Sequence, residues 1–178
     1  MTTTPETEPW TRWATTSTAL FTLHVHGRPA PQGSKKAFAH SVTGKVITQE
    51  MSKYVRPWRQ DVHHAAAAVI ARGGCTPFPL DGPLAVDMVF TLPRPKSHYR
   101  TGRNAHLLKD TAPPRPAGAP DLSKLARSTE DALTSAGVWR DDARVVEYRR
   151  LAKVYVGSDP DALSAPGAVI RVYRLGAA

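Results

Sequence analysis

The chain has 178 residues, with 24 Lys and Arg against 15 Asp and Glu, a formal net charge of +9 at neutral pH and an isoelectric point near 10.1. One cysteine, Cys75, excludes an intramolecular disulfide or a cysteine-based zinc cluster and fits a reducing, cytoplasmic setting. No apolar run is long enough to span a membrane, no Walker loop or Gly-rich dinucleotide fingerprint occurs, and no repeat is visible, so the basic balance directs attention to polyanions.

Residues 1–17 are rich in Thr, Pro and Glu without an apolar core, and are expected to form a disordered tail rather than a signal peptide. Residues 18–178 are expected to form one compact domain. Phe21 to His26 alternates as a half-buried strand with His24 and His26 on its polar face. Gly27-Arg28-Pro29 and Gln32-Gly33-Ser34-Lys35-Lys36 follow, where glycine permits close backbone approach and Arg28, Lys35 and Lys36 are candidates to meet phosphates. Lys36 to Thr48 suggests a hairpin about Thr43-Gly44. A helix is expected from about Gln49 to Arg72, with Val55, Trp58, Val62, Ala65, Ala66, Val69 and Ile70 inward, a late start or kink at Pro57 and a stop at Gly73-Gly74. Its His63-His64 pair reads as solvated or satisfied. Lone Cys75 has no adjacent base to make it a nucleophile.

Leu84 to Leu92 reads as a strand with Leu84, Val86, Met88 and Phe90 on one face, leaving Asp87 on the other as a solvated residue. Residues 93–120 are proline-rich and carry Arg94, Lys96, Arg100, Arg103, Lys109 and Arg115 against Asp110, with His98, Tyr99 and His106 interleaved. That composition predicts a long irregular loop, read as a DNA-contacting arm, with a solvated loop as the alternative.

Leu122, Leu125, Ala132, Leu133 and Ala136 recur at helical spacing after Asp121, a good N-cap, until Gly137. Arg140-Asp141-Asp142 then interrupts an apolar run before a strand over Asp142 to Val156, and a last strand spans Ala168 to Arg174. Acidic residues thus bracket a helix with a basic face, with Asp121, Asp141 and Asp142 as candidate ligands for a hard divalent cation beside a phosphate backbone. A capping Asp121 and a solvated Asp-Asp turn are the plain alternatives. Residues 121, 124, 127, 128 and 131 are expected on one side of the helix, with Asp131 orienting Arg127 by an i, i+4 pair. Spacing alone does not choose between that role and an ordinary solvated pair. The elements add up to an α+β domain with a mixed β-sheet and two main helices.

The order Pro-Asp-Leu, Asp-Ala-Leu, Ala-Gly-Val-Trp and Asp-Asp-Ala-Arg-Val-Val resembles the RusA-type Holliday junction resolvases. Asp121 matches the first aspartate of their motif, Arg127 the helix lysine, Asp131 the Asp-Ala-Leu aspartate, Asp141 and Asp142 the paired aspartates, and Lys153 a lysine on the next strand. The close match covers about the last third of the chain up to Lys153. The resemblance implies a RusA-like fold and an Mg2+-dependent endodeoxyribonuclease, with Mn2+ as a substitute, acting on branched DNA in recombination, repair or phage DNA processing. Asp121, Asp141 and Asp142 would hold metal, and Arg127 and Lys153 would contact or polarise the scissile phosphate. Ser123 departs from the pattern, standing where the family has a second acidic residue, and Lys124 where Asn is common. Asp141 or Asp87 could supply the missing charge. A non-catalytic branched-DNA-binding protein with a degenerate metal site is the competing reading, and a cluster that merely caps and solvates a helix is a third. A straight helix over residues 121–136 rises ~1.5 Å per residue, holding its ends roughly 24 Å apart. Asp121 and the Asp141-Asp142 pair would then meet across a homodimer, whose twofold symmetry suits paired incisions in a four-way junction; a helix ending near Thr134 would permit a site within one chain.

Overall fold

The computed structural model describes residues 18–33, 53–73 and 76–176, and the backbone course of 35–39 and 46–50. The expected N-terminal tail, the hairpin turn at Thr43-Gly44 and Cys75 lie outside the described residues, as do the side chains of Lys35 and Lys36.

The elements follow the expected order. Strand β1 (Phe21–His26), a hairpin of β2 (Lys35–Ala39) and β3 (Val46–Glu50), helix α1 (Val55–Ala71), β4 (Leu84–Leu92), helix α2 (Leu122–Ser135), β5 (Val145–Tyr155) and β6 (Gly167–Arg174) succeed one another. The main sheet runs β1-β6-β4-β5, and β2 and β3 form their own two-stranded sheet. β1 and β4 both pair antiparallel with β6, whereas β4 and β5 are parallel, which makes the sheet mixed. The parallel pair requires a crossover, and α2 provides it. No described helix is long and apolar enough to cross a membrane.

Both helices pack on one sheet face. Leu84, Val86, Met88 and Phe90 join Val55, Trp58, Val62, Ala66, Leu125, Ala132 and Leu133 in a single core, in which Trp58 stands edge-on to Phe90 at 6.4 Å between centroids. The indole N–H of Trp58 donates to Thr129 Oγ1 at 3.1 Å, so the polar edge of this buried ring is satisfied across the helix pair. α1 begins later than the expected Gln49, because Gln49 and Glu50 pair with Lys36 and Lys35 in the hairpin. Pro57 accordingly lies in the first turn, where its missing N–H costs no helical bond. α2 ends in a Schellman motif: the N–H of Gly137 donates to Thr134 and that of Val138 to Leu133. Gly137 has φ 78°, which a residue with a side chain rarely adopts.

The outer face departs from expectation. Asp87 is not solvated: it is 8% exposed and accepts from Tyr173 Oη at 2.8 Å. Around it Arg150 pairs with Asp159 at 2.7 Å and also with Asp161, and Arg171 pairs with Asp161 at 2.6 Å. Residues 158–163 fold back over this face, where the N–H of Leu163 donates to Thr91 Oγ1 at 2.9 Å. Odd-numbered β4 residues are therefore buried by a polar lattice, and Asp87 lies across the sheet from α2, too far round to complete a cluster with Asp121.

The hydrogen bond from Arg171, then the Arg171 and Arg150 charges, hold Asp161 below its ordinary value of 3.8 against the opposing effect of burial. A carboxylate with a depressed folded pKa stabilises above the unfolded value, and that stabilisation is lost as pH falls through the folded one. Asp161→Asn should thus cost about 1–3 kcal/mol in urea unfolding at neutral pH. The gap to the wild type should persist down to about pH 5 and close below about pH 4; a gap independent of pH would refute the ion-pair account.

Candidate metal and nucleic-acid site

Asp121 sits at the N-cap of α2 with extended backbone angles, φ −67° and ψ 134°, and its carbonyl accepts from Leu125 at 3.1 Å. Its carboxylate does not cap the helix, contrary to the plain reading, but pairs with Lys124 Nζ at 2.9 Å. That hydrogen bond and charge, with a smaller contribution from Lys153, hold Asp121 below the usual carboxylate range. Lys153 comes from the far end of β5. It lies opposite Phe90, so it projects to the helix-bearing face. There its ammonium donates to the carbonyls of Gly118 and, at 2.9 Å, Pro120, fastening the start of α2 to the sheet.

The buried stripe of α2 contains Leu125, Ala126, Ser128, Thr129, Ala132 and Leu133. Ser128 is consequently not on the functional side as expected: its hydroxyl donates to Ala30 O at 2.6 Å inside the core. Asp131 does not orient Arg127 either, because it pairs with Arg59 of α1. The outward stripe is instead Ser123, Arg127 and Glu130, at i, i+4 and i+7. Glu130 was missed by sequence reasoning; its signal was this shared face with Arg127.

Asp141 and Asp142 do not begin β5. They form a turn of 3-10 helix ahead of it, Asp142–Arg144, which Asp141 caps by accepting from the N–H of Ala143 at 2.8 Å. The approach to that turn is held by Leu80, whose N–H and C=O bond to Val138 and Arg140, and by Arg140 against Asp81 at 3.2 Å. Glu130, across from it, accepts a hydrogen bond from Tyr148 of β5. Burial pushes the Glu130 carboxyl up; the Tyr148 bond opposes this, the Asp142 charge adds to it and Arg127 offsets part. Tyr148 is pushed well above its ordinary range, first by burial and then by the Glu130 bond and the Glu130 and Asp142 charges.

Two clusters result. Asp121, Lys124 and Lys153 lie at the start of α2, and Arg127, Glu130, Tyr148 and Asp142 lie farther along it, with Asp141 beside them. The nine residues from Asp121 to Glu130 rise ~13 Å, too far for one ion to bridge. Among the described residues no group of three His, Cys, Asp or Glu is close enough to hold a metal; exposed His24 and His26 join none. Magnesium nevertheless needs only one or two protein carboxylates when water and phosphate oxygens complete its shell. Asp142 beside Glu130 has that donor chemistry, and the pressure on the Glu130 proton is what a cation would relieve.

The basic segment ahead of α2 folds upon itself. Turns of 3-10 helix at Lys96–His98 and Gly102–Asn104 punctuate it, Tyr99 bridges to Leu108, and Arg100 pairs with Asp110 at 3.0 Å. Arg94 lies 4.2 Å above the Tyr155 ring and donates to Pro113 O, whereas Lys96, Arg103, Lys109 and Arg115 are exposed. Arg28 leaves β1 through Gly27, where a Cβ would lie 2.2 Å from Asp61 Oδ2 and φ is 147°. It reaches the ring of Tyr54 at 4.4 Å.

Lys153→Met removes both bonds to the 118–120 carbonyls, so amide exchange over residues 118–125 should accelerate. Unchanged exchange would mean that Lys153 does not fasten the helix.

The model of the endodeoxyribonuclease RusA family matches residues 27–162, most of the chain and all of both clusters. No curated protein matches the sequence. With the parallel β4–β5 pair, its crossover helix and the acidic turn before β5 all inside the matched span, this chain belongs to the RusA endodeoxyribonuclease family.

Proposed function

We propose that this protein is a magnesium-dependent Holliday junction resolvase working as a homodimer, in which each site draws on both protomers. The observation that carries the reading is the division of α2 into an Asp121–Lys153 end and an Asp142–Glu130 end. Two copies of α2 packed antiparallel would bring one end of each beside the other end of its mate, giving two sites related by a twofold axis.

Asp142 and Asp121, with Asp141 or Glu130 beside them, would hold the ion. A bound divalent ion supplies an activated water and positive charge against the phosphoryl oxygens. The remaining chemistry falls to this chain's own groups. Asp121 stays ionised beside Lys124 and Lys153. Arg127, exposed on the outward stripe, neutralises charge that builds on the phosphate in the transition state, and Lys153 adds to this while keeping the helix start in place. The Tyr148 bond orients Glu130, and burial raises the affinity of Glu130 for its proton, which suits it to proton transfer. Arg28, Arg94, Lys96, Arg100, Arg103, Lys109 and Arg115 would receive the arms, with Lys35 and Lys36 as candidates from the sequence, by phosphate contacts that position without reading sequence.

One observation favours a second reading. Lys124 occupies the Asp121 carboxylate, and Ser123 offers no charge to replace it. A chain that binds branched DNA without cutting it would have this arrangement.

Purified protein with a labelled four-way junction and a matched linear duplex in magnesium separates the readings. A resolvase cuts the junction in paired strands and Asp142→Asn abolishes it, whereas binding without cleavage in magnesium or manganese supports the second reading. Mixing then tests the shared site. Asp121→Asn and Asp142→Asn should each be inactive alone, but their heterodimer contains one site with both aspartates intact and should nick a single strand. No recovered nicking from heterodimers isolated through a different affinity tag on each variant would confine each site to one chain.

A further inference from the structure

Beside the Asp121 end lies a cleft of about 570 Å³ that the cleavage chemistry does not use. Its volume falls within the ~300–1,000 Å³ of small-ligand pockets. One wall is proline and alanine from residues 116–120, ending at the carbonyl that Lys153 holds. Tyr54 stands at the mouth, 41% exposed, with the Arg28 guanidinium 4.4 Å from its ring centroid. Tyr155 is buried, backed by Arg94 and met edge-on by His98 at 5.6 Å. His98 lines the cleft, and its Nδ1 is shielded from water without a hydrogen-bond partner among the described residues.

From this we infer that the cleft receives one unstacked nucleobase of the DNA strand whose neighbouring phosphate lies at Asp121. The inference rests on the DNA-cleaving function proposed above. The base stacks on the guanidinium plane of Arg28, which Tyr54 holds by lying beneath it, since bases stack on guanidinium planes as they do on aromatic rings. A polar base edge would satisfy the orphaned nitrogen of His98 once the ring turns to present it to the cleft, since in the free protein that nitrogen is shielded and its lack of a partner is a cost. Arg28 and Arg94 place positive charge near the mouth, where the flanking phosphates of that nucleotide must pass. Branch points are where such a base is available, because stacking is already interrupted there and extrusion costs less than from a continuous duplex. The cleft thereby links structure selectivity to the cutting site, and the bases that fit His98 best would be cut preferentially.

The test uses the full chain in calcium, so that DNA remains uncut. 5-Iododeoxyuridine is placed in turn at each position around the branch point of a four-way junction and irradiated, and crosslinked peptides are mapped. One position should crosslink to the peptide containing Tyr54 or His98. Tyr54→Leu should lose that crosslink and weaken junction binding about tenfold, a typical worth of one base stack, against no more than about twofold on linear duplex. Tyr54→Phe, which keeps the ring, should restore both, and thermal melts of the two variants exclude a folding defect as the cause. Crosslinks confined to other peptides, or equal losses on junction and duplex, would overturn the base pocket while leaving the nuclease reading standing. A wild-type protein that binds neither DNA would defeat both together.

Discussion

The seating of α2 against β5 is the constraint on which the other features of the site depend. β5 runs back along the helix that precedes it, so Tyr148 near its start meets Glu130 and Lys153 near its end meets the carbonyls before Asp121. The two contacts set the height of the helix on the sheet and its rotation about its own axis. They lie at the two ends of the outward stripe, with Ser123 and Arg127 between. A parallel β4–β5 pair with a crossover helix makes the arrangement natural, since the helix must return the chain to the edge from which β5 starts.

Rotation decides which charges are free. The inward stripe of α2 is more polar than a core stripe usually is, with Ser128 and Thr129 both buried, and each has found a partner on a different element. Ser128 bonds to the segment after β1, and Thr129 accepts from Trp58 of α1. Arg59 then takes Asp131. Turning the helix by one position would break these buried bonds together, and an unpartnered buried polar group costs about 1–3 kcal/mol. Arg127 and Glu130 are thus presented outward by a polar core as much as by an apolar one.

What was legible in the chain was what repeats with a short period. The alternation of β1 and β4, the apolar spacing of α2 and its glycine stop are local, and each element formed where its pattern placed it. Asp121, Asp142 and Lys153 were singled out for a different reason, since identity, order and spacing together resemble a known family. The illegible parts were long-range pairings. Asp87 reads as solvated because one strand's alternation says nothing about a loop folding over the second face. Asp131 sits four residues from Arg127, yet its partner is Arg59, 72 positions away. Glu130 shares an i, i+3 face with Arg127, but its proton affinity is raised only by burial and by Asp142, which arrives from beyond the helix. The start of α1 was misplaced because the ladder of a neighbouring hairpin claimed Gln49 and Glu50.

Charge placement bears on the missing acid at Ser123. A three-carboxylate cluster without its metal is destabilised by its own repulsion, and here that repulsion is distributed rather than concentrated. Asp121 rests against Lys124 and Lys153, whereas Glu130 lies at the other end of the helix and accepts from Tyr148. Each end of α2 is therefore electrostatically tolerable alone, and the polyanion, rather than the ion, becomes the larger source of binding energy. In the proposed function, a phosphate arriving at Asp121 would bring negative charge for Lys124 to follow and would free the carboxylate for a cation. Under that proposal the serine would make assembly of the metal site conditional on substrate, with no standing, self-repelling cluster on a free protein of net charge +9.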